Sequence, residues 1–204
     1  QGIATRLTAE IQGLSLASRN AADAQSLIDT AEAAHQEVQN MLLRMRELAV
    51  QASNGTLTSA DRTALDTEVT SLENEITNMS NNLQFGGVSI AASTALRFQI
   101  GSRNGDANTV THTFAKFTVT GISANVDVSS QGSARNAIST IDAAISTIST
   151  RRGALGAVSN RLSSVIANLD NIKVNLSQAR GRIQDTDFAE ETSNLAKSQI
   201  MQQA

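Results

Sequence analysis

The 204 residues include no cysteine, proline, tryptophan or tyrosine, and only five phenylalanines. Without cysteine the chain has no disulfide bond, no thiolate metal site and no cysteine nucleophile. A net charge of -3 and so few aromatic rings argue against a nucleic-acid partner, which requires basic patches and stacking platforms. No segment approaches the ~20 apolar residues that span a bilayer, so we expect no membrane insertion.

The remaining hydrophobic residues are mostly aliphatic and recur at spacings of three and four. Because proline is absent, this pattern favours long helices over a loop-rich globule. We predict a mainly α fold: an elongated antiparallel helical bundle or coiled-coil rod with a small β-hairpin region.

Two helices are predicted in the N-terminal half. The first covers residues 3–52 and ends near Asn54-Gly55, which tolerate the left-handed conformation that closes a helix. The second begins at Thr58, at capping-box spacing from Asp61, and runs to about residue 82. Its apolar seam comprises Leu65, Val69, Leu72, Ile76, Met79 and Leu83.

The hydrophobic period then changes. Residues 97–100 and 109–114 alternate and flank Asn104-Gly105, which predicts a β-hairpin with a tight turn. Short strands are also predicted at residues 116–120 and 125–128.

Helical spacing returns over residues 133–184, with a seam that includes Leu155, Leu162, Leu169 and Leu176. A break is predicted at residues 185–187, where acidic and hydroxyl side chains can cap a new helix. We therefore divide the chain into an N-terminal helical arm (1–90), a hairpin and short connection (91–132), and a C-terminal arm of the same rod domain (133–204).

No constellation of residues predicts catalysis, a metal site or a cofactor. His35 and His112 are far apart in sequence and lack partners at ligand or triad spacing, which favours structural or surface roles. Arg151-Arg152 could bind an anion, but an exposed helical pair is more often a solvated face or an interface contact. The carboxylates Glu73 and Glu75 lie two residues apart on different helix faces and form no dyad.

Two further patterns also favour structural roles. The acidic residues Asp185, Asp187, Glu190 and Glu191 lack the EF-hand arrangement and are interpreted as helix capping. The loop at residues 101–105 has two glycines, but a phosphate loop requires a helix directly behind it.

Several segments resemble the conserved terminal regions of bacterial flagellin. The amino-side segments are Ala17 to Ala24 (ASRNAADA), Leu43 to Ala52 (LRMRELAVQA) and Leu83 to Val88 (LQFGGV), followed by Phe98 to Gly101 (FQIG). The carboxy-side segments are Leu155 to Leu162 (LGAVSNRL), Asn168-Leu169, Ala179 to Ala189 (ARGRIQDTDFA) and Gln199 to Ala204 (QIMQQA).

The resemblance implies a self-assembling subunit of the extracellular flagellar filament. Its partners would be other copies of itself, the type III export apparatus, an export chaperone and the cap protein. The fold would correspond to the inner-tube domain, with residues 115–132 in the place of the family's outer domains. The family's extreme terminal segments are expected to be missing at both ends, so efficient polymerisation is not expected.

Some family members are recognised by an animal innate immune receptor through an Arg, a Leu and a Glu. The matching positions here are Arg44, Leu48 and Glu68, although Leu43 stands where the family often has Gln. The resemblance thus implies receptor recognition as a hypothesis.

Two alternatives remain at this point. One is the hook–filament junction protein, which shares helical terminal regions with flagellin. The other is a surface-exposed, flagellin-like protein that binds carbohydrate or acts as an adhesin, which the absence of Trp and Tyr disfavours.

Overall fold

A computed structural model describes residues 2–90, 95–114 and 126–203, apart from the side chains of residues 185–191, 194 and 203. The elements are α1 (Gly2–Ala52), α2 (Ser59–Asn82), β1 (Gln84–Phe85), β2 (Val88–Ser89), β3 (Ala95–Gln99), a 3-10 turn (Asp106–Asn108), β4 (Thr109–Thr113) and α3 (Gln131–Gln203). The strands pair as β1 with β2 and β3 with β4. The predicted class, mainly α with a small β part, is confirmed.

Helix α1 ends at Ala52, just before the predicted Asn54-Gly55 stop. Arg62 binds two carbonyl groups at this end. Its Nε donates to the Ala52 carbonyl at 2.9 Å, and its Nη2 donates to the Asn54 carbonyl at 2.9 Å. A cation here also complements the negative end of the helix dipole.

The predicted capping box at the start of α2 is confirmed. The Thr58 hydroxyl accepts from the Asp61 N–H at 3.3 Å, and the Thr58 N–H donates to Asp61 Oδ2 at 2.9 Å. The Thr58 hydroxyl also donates to this carboxylate, and these hydrogen bonds lower the pKa of Asp61. Two backbone N–H groups at the start of the helix are thus satisfied by side-chain oxygen atoms.

A short hairpin that sequence reasoning missed follows α2. Strands β1 and β2 are antiparallel, with Gln84 opposite Ser89 and Phe85 opposite Val88. The turn is Gly86-Gly87, both with positive φ (56° and 83°). Two consecutive positive φ angles suit a two-residue hairpin turn. The Gly-Gly pair is therefore the feature of the sequence that could have predicted this hairpin.

The second hairpin has strands where they were predicted, but the predicted tight turn is wrong. Residues 100–108 connect β3 and β4 and include the 3-10 turn. The Ile100 N–H donates to the Asn108 carbonyl at 2.8 Å, which closes the neck of this loop. Asn104-Gly105 therefore lies within a longer loop.

Two further strands were predicted after this hairpin. Residues 116–120 lie outside the described part of the chain. Residues 126–128 are described and do not form a strand, so that part of the prediction is wrong. They form an extended segment that binds to side chains of α2, as set out below.

Helix α3 begins slightly earlier than predicted and does not break at residues 185–187. At its start, the Ser130 hydroxyl accepts from the Ser133 N–H at 3.1 Å. The predicted break, and with it the helix-capping interpretation of the acidic residues there, is wrong. Asp and Thr cost at most about 0.7 kcal/mol each inside a helix, far less than the ~3 kcal/mol of proline, which the chain lacks.

The chain divides into two compact units. Unit 1 comprises Gln1–Ala24, Arg97–Val110 and Arg161–Ala204, and unit 2 comprises Gln25–Leu96 and Thr111–Asn160. The predicted division into arms at residues 90 and 132 stays a prediction. The fully buried larger side chains of unit 2 include Leu42, Met45, Leu48, Val69, Ile76 and Ile141. In unit 1 a smaller cluster joins Leu14, Ala17 and Leu169.

Replacing Thr58 with Ala tests the contribution of the capping box. The loss of an N-cap hydroxyl is expected to lower the free energy of unfolding by about 1 kcal/mol. Urea unfolding followed by circular dichroism measures this change. Thr56→Ala is the matched control, since Thr56 is also exposed and lies outside the capping box. Equal stability of the two variants would contradict the assignment.

Candidate assembly and recognition surface

The predicted seam residues of α2 lie at different depths in unit 2. Val69 and Ile76 are fully buried. The four others are partly buried and pack against the same core: Leu65, Leu72, Met79 and Leu83. Helix α2 thus uses one narrow face for packing and leaves the remainder to solvent.

The seam residues of α3 fall in both units. Leu155 lies in unit 2, and Leu162 and Leu169 lie in unit 1; all three are buried. Leu176 is partly buried and packs against the cluster that contains Leu14 and Leu169. These contacts give the seam a packing role.

Arg44 stands on the surface of unit 2 and joins α1 to α2. Its Nη2 lies 2.8 Å from Glu68 Oε1, and its Nη1 lies 3.1 Å from Glu47 Oε2. The hydrogen bond with Glu68, assisted by Glu47, raises the pKa of Arg44. All three side chains are about half exposed or more. Ion pairs in such exposed positions contribute little to stability, so their main effect is to orient the guanidinium group.

Leu48, the third residue matched to receptor recognition, is inside the protein. It is 1% exposed and belongs to the core of unit 2. Of the three matched residues, only Arg44 and Glu68 therefore lie at the surface.

An apolar pair on α1 is exposed near Arg44. Leu43 is 45% exposed and Val50 is 47% exposed. Seven residues make nearly two helical turns, so both side chains lie on one face, with Glu47 between them. This pair, Leu43 and Val50, presents an uncovered hydrophobic face beside a charged group.

Two further ion pairs join α1 to α3 within unit 2. Arg46 Nε lies 2.7 Å from Asp142 Oδ1 at the surface, and this carboxylate raises the pKa of Arg46. Arg152 Nε lies 2.7 Å from Glu32 Oε1, and its Nη1 donates to Gln39 at 2.5 Å. Arg152, one of the two arginines considered above as a possible anion site, thus takes part in a contact between helices.

The two histidines approach the same place despite their separation in sequence. Both line a small cavity of about 80 Å³ in unit 2, together with Arg151 and Phe114. His35 is buried, and its Nδ1 lies 2.7 Å from the Ala31 carbonyl. His112 packs edge-on against Phe114 with ring centroids 4.7 Å apart. Burial lowers the pKa of both imidazoles and so favours their neutral form.

Two carboxylates of α2 bind the extended segment 126–128, a contact that sequence reasoning missed. Asp66 Oδ1 accepts from the Val128 N–H at 2.9 Å, and Glu73 Oε1 accepts from the Val126 N–H at 3.1 Å. Both valine side chains are buried in the core of unit 2. Burial and the nearby charge of Asp66 raise the pKa of Glu73. Glu73 thus positions the segment that precedes α3.

The described residues contain neither a cluster suited to a metal ion nor a helix suited to a membrane. Among them, no three His, Asp or Glu side chains converge to hold a metal ion. The side chains of Asp185, Asp187, Glu190 and Glu191 lie outside this description. None of the described helical stretches combines the length and the apolar character needed to cross a membrane.

Comparison with known proteins places this architecture in a family. Residues 1–96 match the N-terminal helical region of bacterial flagellin, and residues 138–204 match the C-terminal helical region. The flagellin of Halalkalibacterium halodurans is 38% identical over 206 residues, covering 99% of this chain and 75% of that protein. The chain belongs to the bacterial flagellin family. The resemblance described from the sequence is confirmed.

Other flagellins give the same result. Flagellin A of Vibrio cholerae is 29% identical and covers 99% of this chain and 82% of its own length. The crystal structure of Bacillus cereus flagellin superposes with a TM-score of 0.67 at 31% identity, over 74% of this chain and 88% of that one.

A putative flagellar hook-associated protein from Vibrio parahaemolyticus shares the fold, with a TM-score of 0.73 at 16% identity, over 88% of this chain and 95% of that one. This likeness is one of fold alone. It does not favour the junction-protein alternative over a flagellin.

As a flagellin, this chain is a structural subunit of the bacterial flagellar filament. Its candidate functional site is therefore a surface for packing against other subunits. The features that matter are the exposed apolar side chains and the Arg44 ion-pair cluster, defined by Arg44, Glu47 and Glu68.

The buried His35 makes the stability of this flagellin sensitive to pH. Because burial holds its folded-state pKa below 6.5, the unfolded chain binds more protons as the pH falls from 6.5 toward that lower value. Stability should therefore be fully present above pH 6.5 and decline on acidification through this window. The positive charges of Arg151 and Arg152 oppose protonation of His35, and Glu32 favours it.

Replacing His35 with Gln should flatten this decline, because Gln does not titrate. Urea unfolding at several pH values between 7.5 and 5.5 gives the slope of stability against pH. His112→Gln serves as the parallel variant. An unchanged slope in both variants would refute the assignment.

Proposed function

We propose that this chain assembles with further copies of itself through apolar side chains that its own fold leaves exposed. The observation that carries the proposal is the 38% sequence identity between this chain and a known flagellin, over 99% of the chain. The described part of unit 1 exposes many large apolar residues: Ile3, Leu16, Ile172, Val174, Leu195, Ile200 and Met201. Their burial between neighbouring subunits would supply hydrophobic stabilisation without further folding.

In unit 2 the pair Leu43 and Val50 offers a similar contact. Because Glu47 lies between the two apolar groups, a partner surface would need a donor at its centre to satisfy that carboxylate. The contact is thereby selective for one register between subunits.

We further propose that the chain reaches the cell exterior unfolded, through the flagellar export apparatus, with the help of an export chaperone and the cap protein. Long helices rely on local hydrogen bonds, which form quickly. The chain contains neither proline nor cysteine. Refolding is therefore not delayed by proline isomerisation or by disulfide exchange. The role proposed is structural and requires no catalysis.

Electron microscopy of the source cells with gold-labelled antibody against this chain tests its place in the filament. Label along whole filaments is the expected result. Label confined to the hook end would support a junction protein, and label over the cell body without filaments would support a surface-binding role; either outcome would overturn the proposal.

The contact at Val50 is tested in the same cells by Val50→Asp. The added charge should leave few or short filaments, because a buried carboxylate without a partner is costly. Gln51→Asp is the matched control, since Gln51 is exposed on the adjoining face. Circular dichroism confirms that both variants fold. Equal filament lengths would exclude Val50 from the contact.

Recognition by an animal innate immune receptor is a second candidate function, supported by the geometry of the Arg44 ion-pair cluster. Glu47 and Glu68 hold the guanidinium group in a fixed orientation at the surface, and Leu43 adds an exposed apolar contact beside it. A preoriented arginine next to an apolar side chain is typical of an interface hot spot.

A receptor reporter assay with the intact chain tests this recognition. Arg44→Ala should lower the response about tenfold, the scale of a single interface hot spot. Arg46→Ala removes the same charge from α1 about 200° around the helix and should leave the response nearly unchanged. No response to the intact chain, or equal losses in both variants, would refute the proposal. Leu48→Ala should act through core stability, which thermal unfolding detects.

A further inference from the structure

The chain contains two Asn-Gly pairs, and they differ in how strongly the fold restrains them. Asn54-Gly55 follows α1, and Asn104-Gly105 lies in the loop between β3 and β4. Glycine has no Cβ to hinder its backbone nitrogen, so this nitrogen can approach the carboxamide of a preceding asparagine. Both pairs are therefore chemically capable of the same reaction between the glycine nitrogen and the asparagine carboxamide. The structure around each pair determines how readily that reaction occurs.

Asn54 is held on both its side chain and its carbonyl group. Its Oδ1 accepts from the Thr56 N–H at 3.2 Å. Its backbone carbonyl accepts from Arg62 Nη2 at 2.9 Å and from the Leu57 N–H at 3.4 Å. A reaction between the Asn54 carboxamide and the Gly55 nitrogen would have to disturb these contacts.

Asn104 has no such restraint. Its side chain is exposed and makes no hydrogen bond to any of the described residues. Gly105 has φ of 127°, a conformation open to glycine, and its N–H has no partner within the described loop. The loop is tethered on both sides of the pair instead: Gln99 Nε2 donates to the Arg103 carbonyl at 2.8 Å, and the Asn108 N–H donates to the Gly105 carbonyl at 3.0 Å.

We propose that Asn104 is a site of spontaneous deamidation in the folded protein. Hydroxide removes the Gly105 amide proton, and the nitrogen attacks Asn104 Cγ. The new N–Cγ bond forms as the Cγ–Nδ2 bond breaks, and ammonia leaves with a proton from water. Water then adds to one of the two carbonyls of the resulting succinimide, and the bond from that carbon to the Gly105 nitrogen breaks. Opening at Cγ gives aspartate, and opening at the backbone carbonyl gives isoaspartate.

The modification changes a loop that packs closely on α1 in unit 1. A methyl group at Gly13 would lie 2.9 Å from Ser102 Cβ, so the loop and helix have no spare room there. Isoaspartate lengthens the main chain by one carbon, and either product adds a negative charge between Arg103 and Asp106. Arg103 is already paired with Glu10 at 3.4 Å. The aged protein would thus carry a looser contact between this loop and α1.

Peptide mapping of the intact folded chain, incubated in mildly alkaline buffer, tests the site. Trypsin separates the two pairs into peptides 47–62 and 104–116, because Arg46, Arg62, Arg103 and Lys116 flank them. Asn104 should convert roughly five- to tenfold faster than Asn54, since a hydrogen-bonded loop must open before it reacts. Mass spectrometry reports the exchange of amide for carboxylate in each peptide.

Two controls show whether the fold is responsible. In denaturant the two sites should react at similar rates. In folded Arg62→Ala, where Asn54 lies in the longer tryptic peptide 47–97, Asn54 should react faster while Asn104 is unchanged, and circular dichroism confirms folding. Asn104→Gln should remove the fast product. Equal rates at the two sites in the folded chain, or a rate difference that persists in denaturant, would overturn the proposal.

Discussion

Burial of one continuous face of α1 is the constraint on which the remaining structure depends. Small and aliphatic residues recur on this face, and several are wholly excluded from solvent, among them Ala21, Ala31, Leu42, Met45 and Ala49. Alanines allow neighbouring backbones to approach, and the larger side chains fill the space between them. In unit 2 this face packs with the seam of α2 and with Ile141 and Ile148 of α3. With few aromatic residues, the core gains its hydrophobic stabilisation from many aliphatic contacts along the helices.

Polar side chains fix the segments that such packing leaves undetermined. Arg62 binds the end of α1, and the Thr58 hydroxyl caps the start of α2. Asp66 and Glu73 bind the extended segment before α3. Each contact satisfies a backbone group that lacks a partner in regular secondary structure. The transitions between helices are therefore specified by individual hydrogen bonds, whereas the helices are specified by periodicity.

The fold of this flagellin combines a buried core with a surface suited to assembly. Its core uses one face of each helix, which leaves apolar residues such as Leu43, Val50 and Met201 at the surface. Charged groups interleave with them, as Glu47 does, and these limit nonspecific association. Arg44 is likewise held by carboxylates from two helices, so the surface is ordered before any partner arrives.

The sequence by itself determined the helices α1 and α2, the capping box and the strands of the second hairpin, because spacing, capping residues and β-branched alternation act over a few neighbouring residues. Only the tertiary structure decided that the 100–108 loop is long and that Glu73 binds residue 126. It likewise decided that His35 and His112 share a cavity and that Leu48 faces the core. These outcomes depend on contacts between residues distant in the chain and on which helix face is buried. A local sequence pattern contains information about neither.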